Sequence, residues 1–483
     1  MPHRPACDKL LSVKLRILAV LCAAALHAAP ADPWLRIQSQ NFELFTTTGE
    51  RNGRDLVNHF EQVRAFFYEA FGSQPIAARP ARIIVFRNDK EYEPYRPNQT
   101  ASAFYQPGAD HDFIVMRNAT GVEDVAVHEY THLLVGQSGQ TIPIWLNEGL
   151  AELYSNLEPL AGQIVVGKPL RGRVHDLGSE KWIPMRTLLG VNRDSPFYQE
   201  KSRAGMFYAE SWILVHMLVL SREYRPKLHA FLDALKQTGT KDDGSARALE
   251  TAYGKPVEGV EKDLRGYMAA TTLAAAVFNA PAVKPSGEVE VDKNSSMEAR
   301  LALAELTAVT PGKSAQARAA YSQLQRDFPN RAEVEQAVAE FDLRERHNSE
   351  AAEHFAVAVE LGAKSPRMYV RYARALSLTN RNDDAVKALR MAISLDPAMD
   401  EAHFELGGAL VRAGQFREAV EEFGGVKRLG PEHAYRYYYG YAFATYKSGD
   451  KARARTLIRE ARAYTKNPEE IAALDKLSEA VRK

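Results

Sequence analysis

Cysteine is nearly missing from this 483-residue chain: Cys7 and Cys22 are the two, and both lie in the N-terminal segment. A mature chain starting after that segment carries no thiol, which excludes disulfides and zinc sites built on thiolates. An excess of one charge is missing too. There are 62 basic and 61 acidic residues, a net charge of +1, so nothing in the bulk charge calls for nucleic acid. A bilayer-spanning apolar run is also lacking at the N-terminus, where Ile17 to Leu26 is too short for a transmembrane helix. What remains is an apolar content of 45% and a charged content of 25%, the composition of a folded globular protein. The length exceeds one ordinary core, so two or more domains are expected.

The N-terminal order is basic, then apolar, then small. Arg4, Lys9, Lys14 and Arg16 precede the apolar run, and Ala29-Pro30-Ala31 offers a cleavage site before Asp32. This is the pattern of a secretory signal peptide over residues 1–31. The alternative is an uncleaved membrane anchor. A lipoprotein signal through Cys22 is disfavoured because Leu21 stands where a small residue is wanted. A secreted chain without cysteine points to a bacterial periplasm.

The rest divides by texture. From residue 32 to 278 the pattern is α+β. Strands are expected at Phe42 to Thr47, Arg82 to Phe86 and Asp112 to Met116. A helix is expected over Asp55 to Phe71, with Val57, Phe60, Val63 and Phe67 on one side. Helices take over from Val122 onward. Residues 279–296, with Pro281, Pro285 and Gly287, read as a linker. Residues 297–483 repeat. Ala317, Ala351, Ala385 and Ala419 are each 34 apart, as are Ala339, Ala373 and Gly407, and also Pro397 and Pro431. The series continues at Ala442, Ala454 and Ala461 after a slip of one residue. Small residues at a 34-residue period, where paired helices cross closely, resemble tetratricopeptide repeats. About five units are expected, closed by a helix near Ala472 to Val481.

The chemistry concentrates in two short segments. Residues 128–132 read His-Glu-Tyr-Thr-His inside an apolar helical pattern. Positions i and i+4 share a helix face, so His128 and His132 can present two imidazoles to one ion. Glu129 is turned aside from that pair and can reach a metal-bound water. With 13 histidines in the chain, this motif alone is only suggestive. The case is strengthened by Pro143-Ile-Trp-Leu-Asn-Glu-Gly-Leu-Ala-Glu-Leu, which offers Glu148 and Glu152 four apart. Catalytic zinc takes three protein ligands and keeps a fourth position for water. Glu148 can complete the set, and Glu152 can accept a hydrogen bond from the far nitrogen of a ligating histidine.

These two segments resemble the gluzincin metallopeptidases, the clan that includes thermolysin. The likeness is greatest to a bacterial group marked by a helical H-E-x-x-H followed by W-L-x-E-G-x-A-E. Here those residues are His128, Glu129, His132, Trp145, Leu146, Glu148, Gly149, Ala151 and Glu152. The resemblance implies a zincin-like domain with one zinc per chain, hydrolysis of peptide bonds, and a mixed sheet whose edge strand pairs with substrate. By that resemblance Asp112 to Met116 is the expected edge strand. The 15 residues between His132 and Glu148 are fewer than in thermolysin, so the connection must be tight. Glu129 is the expected general base. Related enzymes supply an oxyanion donor from a downstream helix, and Tyr208 is the candidate, with a packed core tyrosine as the equal alternative. His216 is the second candidate, although its apolar surroundings favour a core histidine.

Transferred by repeat register, the concave positions are Arg367, Val370, Arg374 and Ser377, then Glu401, Phe404 and Val411, then Arg436, Tyr439, Phe443 and Tyr446. Arginine beside aromatics suits an extended peptide, so the repeats are expected to bind a protein partner. The expected whole is a secreted zinc metallopeptidase acting on peptide or protein substrates, without nucleic acid, and touching a membrane only through an uncleaved N-terminus. The competing reading is a repeat-based assembly protein with a vestigial zinc domain. Zinc hydrolysis of a substrate other than a peptide stays open.

Overall fold

The computed structural model describes residues 34–71, 81–99, 101–108, 110–138, 140–160, 163–239, 243–269, 273–279 and 289–482. The expected signal peptide, with Cys7 and Cys22, lies outside the described residues, as does 280–288 of the expected linker. Contacts divide the chain into two compact units, residues 1–299 and 300–483.

The first unit is built on a six-stranded sheet. Its strands are β1 (Leu35–Gln38), β2 (Phe42–Thr46), β3 (Ala81–Phe86), β4 (Ala103–Gln106), β5 (Asp112–Arg117) and a late strand, Glu290–Asp292. The order is β4-β5-β3-β2-β1 with the late strand outermost. β2, β3 and β5 run parallel, and the other neighbours are antiparallel. Parallel strands need crossovers, and the helix Glu50–Phe71 is the crossover from β2 to β3. It buries Val57, Phe60, Val63 and Phe67, the face expected from their spacing.

Two expectations are corrected here. Asp112 to Met116 is a strand but not the edge. Every residue of it is buried, so it pairs on both sides, and the short polar-tipped β4 takes the edge instead. The linker is likewise shorter than expected. Glu290–Asp292 pairs with β1, setting Val291 opposite Ile37 and Asp292 opposite Arg36. A second sheet also follows the helical stretch: Glu158–Leu160, Gln163–Val166 and Ala276–Asn279, antiparallel in that order.

Against the main sheet lies the first motif helix, Val122–Gln137; the second, Ile144–Ser155, packs on the first, and the long helix Lys201–Leu220 packs on the second. The second motif helix and the long helix meet at Gly149, where a Cβ would stand 2.4 Å from the Ser211 carbonyl oxygen. Only a glycine allows that contact without displacing a helix. Among the described residues no single helix is long and apolar enough to cross a membrane.

From Ser296, at the close of the first unit, the chain forms five successive pairs of helices. They are Ser296–Val309 with Ser314–Asp327, Ala332–Arg344 with Asn348–Glu360, Pro366–Leu378 with Asn382–Leu395, Asp400–Arg412 with Phe416–Gly425, and Pro431–Lys447 with Lys451–Ala463. A single helix, Pro468–Arg482, closes the array. The repeated alanines are buried, as close helix crossing requires. The turns repeat as well. Gly312, Arg346, Asn380, Gly414 and Gly449 all have positive φ, 34 apart and then 35. In the last four turns the following N–H closes back on the preceding helix: His347 on Asp342, Arg381 on Leu376, Gln415 on Leu410 and Asp450 on Thr445, at 2.8–3.1 Å.

Candidate metal centre

One helical turn separates His128 from His132, and their Nε2 atoms face each other at 3.1 Å. The second motif helix starts after Pro143 and brings Glu148 Oε2 to 3.5 Å from His128 Nε2 and 3.3 Å from His132 Nε2. The three ligand atoms lie within 4.8 Å of one another, close enough for one metal ion. Among the described residues no other cluster of three or more such side chains does so. Glu148 is 4% exposed, and its Oε2 is buried without a hydrogen-bond partner. An oxygen desolvated in that way costs free energy unless something positive meets it. Burial favours its neutral form, but the His128 and His132 rings beside it outweigh that and hold its carboxyl down at about 2. Burial likewise disfavours a charged His132, yet Glu148 beside it raises its pKa to about 9. Two imidazoles and one carboxylate converging on a desolvated oxygen fit a divalent cation of the zinc type.

Two of the three ligands have an outer hydrogen-bond partner. His132 Nδ1 contacts Asn147 Oδ1 at 3.1 Å, which fixes the ring with Nε2 toward the centre. The Tyr198 hydroxyl donates to Glu148 Oε1 at 3.1 Å. Glu152 Oε1 lies 3.8 Å from His128 Nδ1, beyond hydrogen-bond reach, while Arg173 takes both Glu152 oxygens at 2.9 and 2.6 Å. Glu152 therefore stands beside a histidine as expected, but its direct partner is Arg173. Asn147, Tyr198 and Arg173 escaped the sequence reading. Asn147 alone carried a signal there, being next to Glu148 in the motif.

Glu129 sits at the edge of the sheet. Its Oε2 accepts the main-chain N–H of Tyr105 on β4 at 2.9 Å, and burial raises its pKa above the usual carboxylate range. Tyr208 projects from the long helix close enough for Glu148, Glu152 and Glu129 to act on it. Burial first, then those carboxylates, push its phenol pKa upward. Arg173 lies 5.2 Å over its ring. His216 is fully buried, with Nδ1 at 2.8 Å from Tyr267 Oη and Nε2 at 3.0 Å from the Gly167 carbonyl oxygen. Both of its nitrogens are used in the core, which removes it as an oxyanion donor.

In the repeats, Arg367, Arg374 and Arg436 are exposed, and Tyr439, Phe443 and Tyr446 are half-buried. Phe404 and Val370 are corrections. Both are buried, and Phe404 packs on Phe423 and Tyr437 with Arg436 stacked over it at 5.2 Å. The register that put them on the concave side also puts them where adjacent helices meet, and packing takes them. Arg412 and Ser377 join at 3.1 Å, and Arg436 approaches Glu405 at 3.5 Å.

Residues 114–270, which include both motif helices and Tyr208, match the family model of the Peptidase MA superfamily. The chain is also similar to the small glutamine-rich tetratricopeptide repeat-containing protein 2 of Mycosarcoma maydis, 34% identical over 73 residues. That stretch is 15% of this chain, and the chain spans 21% of that relative's length. Among solved structures, MamA is 22% identical, covering 32% of this chain and 89% of its own, with a TM-score of 0.30. YrrB, described as a TPR protein with an unusual peptide-binding site, is 19% identical, covering 37% and 90% with a TM-score of 0.34. The type IV pilus biogenesis factor PilW is 17% identical, covering 39% and 87%, also at 0.34.

Proposed function

We propose that this chain is a secreted, periplasmic zinc metallopeptidase whose repeats recruit a protein partner or substrate. The observation that carries the reading is the unpartnered, buried Oε2 of Glu148 between His128 and His132, with Glu129 alongside. His128, His132 and Glu148 would hold one zinc, which when bound lowers the pKa of a water and polarises a peptide carbonyl. Glu129, raised by burial, suits a group that takes the water proton and returns it to the leaving amine. The Tyr105 N–H steadies one of its oxygens and leaves the other for that proton. The same residue lies on β4, the sheet edge along which an extended substrate can add as a further strand. Tyr208, kept protonated by burial and by three carboxylates, is the donor we assign to the oxyanion. Arg374, Arg436, Tyr439 and Tyr446 supply the charge and flat apolar area for a partner peptide.

The test uses the full chain. Purified protein is analysed for metal and incubated with a peptide library, alongside Glu129→Gln. Wild type should carry one zinc and cleave, whereas Glu129→Gln should carry the same zinc and lose nearly all cleavage, because an amide cannot accept the proton. Full cleavage by the zinc-loaded variant would overturn the mechanism.

A further inference from the structure

The two oxygens of Glu148 live in different surroundings. Oε2 looks at both histidines and meets no hydrogen-bond donor, whereas Oε1 accepts the Tyr198 hydroxyl at 3.1 Å. A carboxylate can grip a metal through one oxygen or both. A site with two imidazoles, one carboxylate and a water is four-coordinate only if the carboxylate uses one. Something must therefore keep the second oxygen away. We propose that Tyr198 is a positioning residue that holds Oε1 of Glu148 so that Oε2 alone is offered to the metal. The inference rests on the reading that His128, His132 and Glu148 bind one zinc.

Tyr198 is fixed well enough for that task. It lies on the one-turn helix Pro196–Gln199, which leads directly into the long helix Lys201–Leu220. Ser195 caps the turn by accepting the Phe197 N–H. The Tyr198 ring stands edge-on to Phe207 at 5.9 Å, and Phe207 is fully buried. The hydroxyl is thus aimed from a packed wall rather than from a mobile tip. Tyr208, ten residues on, makes no hydrogen bond to Glu148 among the described residues; its ring lies against Arg173 instead. The two tyrosines divide the work, with Tyr198 on the ligand and Tyr208 toward the reacting carbonyl.

The measurement is zinc affinity by competition with a chromophoric chelator, together with the visible spectrum of the cobalt-substituted protein. Tyr198→Phe keeps the ring and removes the hydroxyl. It should bind zinc about 10–100-fold more weakly, the usual scale for an outer partner of a metal ligand, and shift the cobalt bands. Tyr198→Gln, whose amide can donate to Oε1, should recover part of the affinity, and Tyr208→Phe should leave it as in wild type. If Tyr198→Phe matches wild type in affinity and cobalt spectrum, the proposal is overturned while the zinc site stands. If Tyr198→Gln recovers none of the affinity that Tyr198→Phe loses, a donor to Oε1 is not what the site needs, which also overturns it. If wild type itself binds no zinc, the metal reading fails first and takes this one with it.

Discussion

Glu210 offers a test of the fold that does not touch the metal. It lies on the long helix Lys201–Leu220, 1% exposed, with its Oε1 accepting the Ile183 N–H at 2.5 Å. Burial raises its pKa from 4.5 to about 8, with Arg265 opposing the shift and Glu261 adding to it. The native chain thus holds a proton that the unfolded chain sheds near pH 4.5. Between those two values the native state binds more protons, so stability must fall as pH rises, by about 1.4 kcal/mol per pH unit at most. At pH 7 the accumulated cost is about 3 kcal/mol, and above pH 8 it stops growing. Glu210→Gln keeps an oxygen for the Ile183 N–H and carries no proton to lose. It should be nearly as stable as wild type at pH 4.5 and more stable at pH 7 by about 2–4 kcal/mol. Urea unfolding followed by tryptophan fluorescence reads this unit alone, because Trp34, Trp145, Trp182 and Trp212 all lie before residue 300. A chelator in both samples removes any contribution from metal. If wild type and variant keep a constant difference from pH 5 to 8, the buried neutral acid does not exist.

Three further outcomes follow. Glu148→Ala should purify with most of its zinc lost, since two imidazoles hold the ion weakly; a full equivalent by metal analysis would refute the ligand set. Tyr208→Phe should lower kcat by about 10²–10³ with zinc content and the thermal transition unchanged, and an unaltered kcat would return Tyr208 to packing. Arg374→Glu combined with Tyr439→Ala should leave hydrolysis of short peptides intact but slow cleavage of a protein substrate. Equal rates on both substrates would mean that the repeats do not recruit.

The parts legible in the sequence were those encoded within one element. His128 and His132 could be placed together because a helix brings i and i+4 to one face, and in the fold their Nε2 atoms stand 3.1 Å apart. The repeats were legible because a period of 34 survives in the alanines, and each of them marks a buried crossing. Strand order was not legible. Asp112 to Met116 and Ala103 to Gln106 differ in burial, but burial on both faces is a property of neighbours, not of the strand's own residues. Phe404 was misplaced for a related reason. The same position lies next to a groove and next to a neighbouring helix, and only packing decides between them. Tyr198 and Arg173 sit 50 and 21 residues beyond the carboxylates they hold, with no spacing rule to connect them.

The second motif then gains a meaning beyond its ligands. In Trp145-Leu-Asn-Glu-Gly-Leu-Ala-Glu, Glu148 faces the two histidines, Asn147 braces His132 and Glu152 meets Arg173. Trp145 is buried and donates to Ser245, and Ala151 is fully buried. Gly149 lets the long helix approach so closely that any side chain there would strike its backbone. That approach sets how far Tyr198 and Tyr208 stand from Glu148, because both belong to the long helix or to the turn leading into it. A glycine that looks like a packing residue thus sets the distance between a metal ligand and the hydroxyls around it. The motif holds together because the same short helix must present a carboxylate on one side and admit a neighbouring backbone on the other.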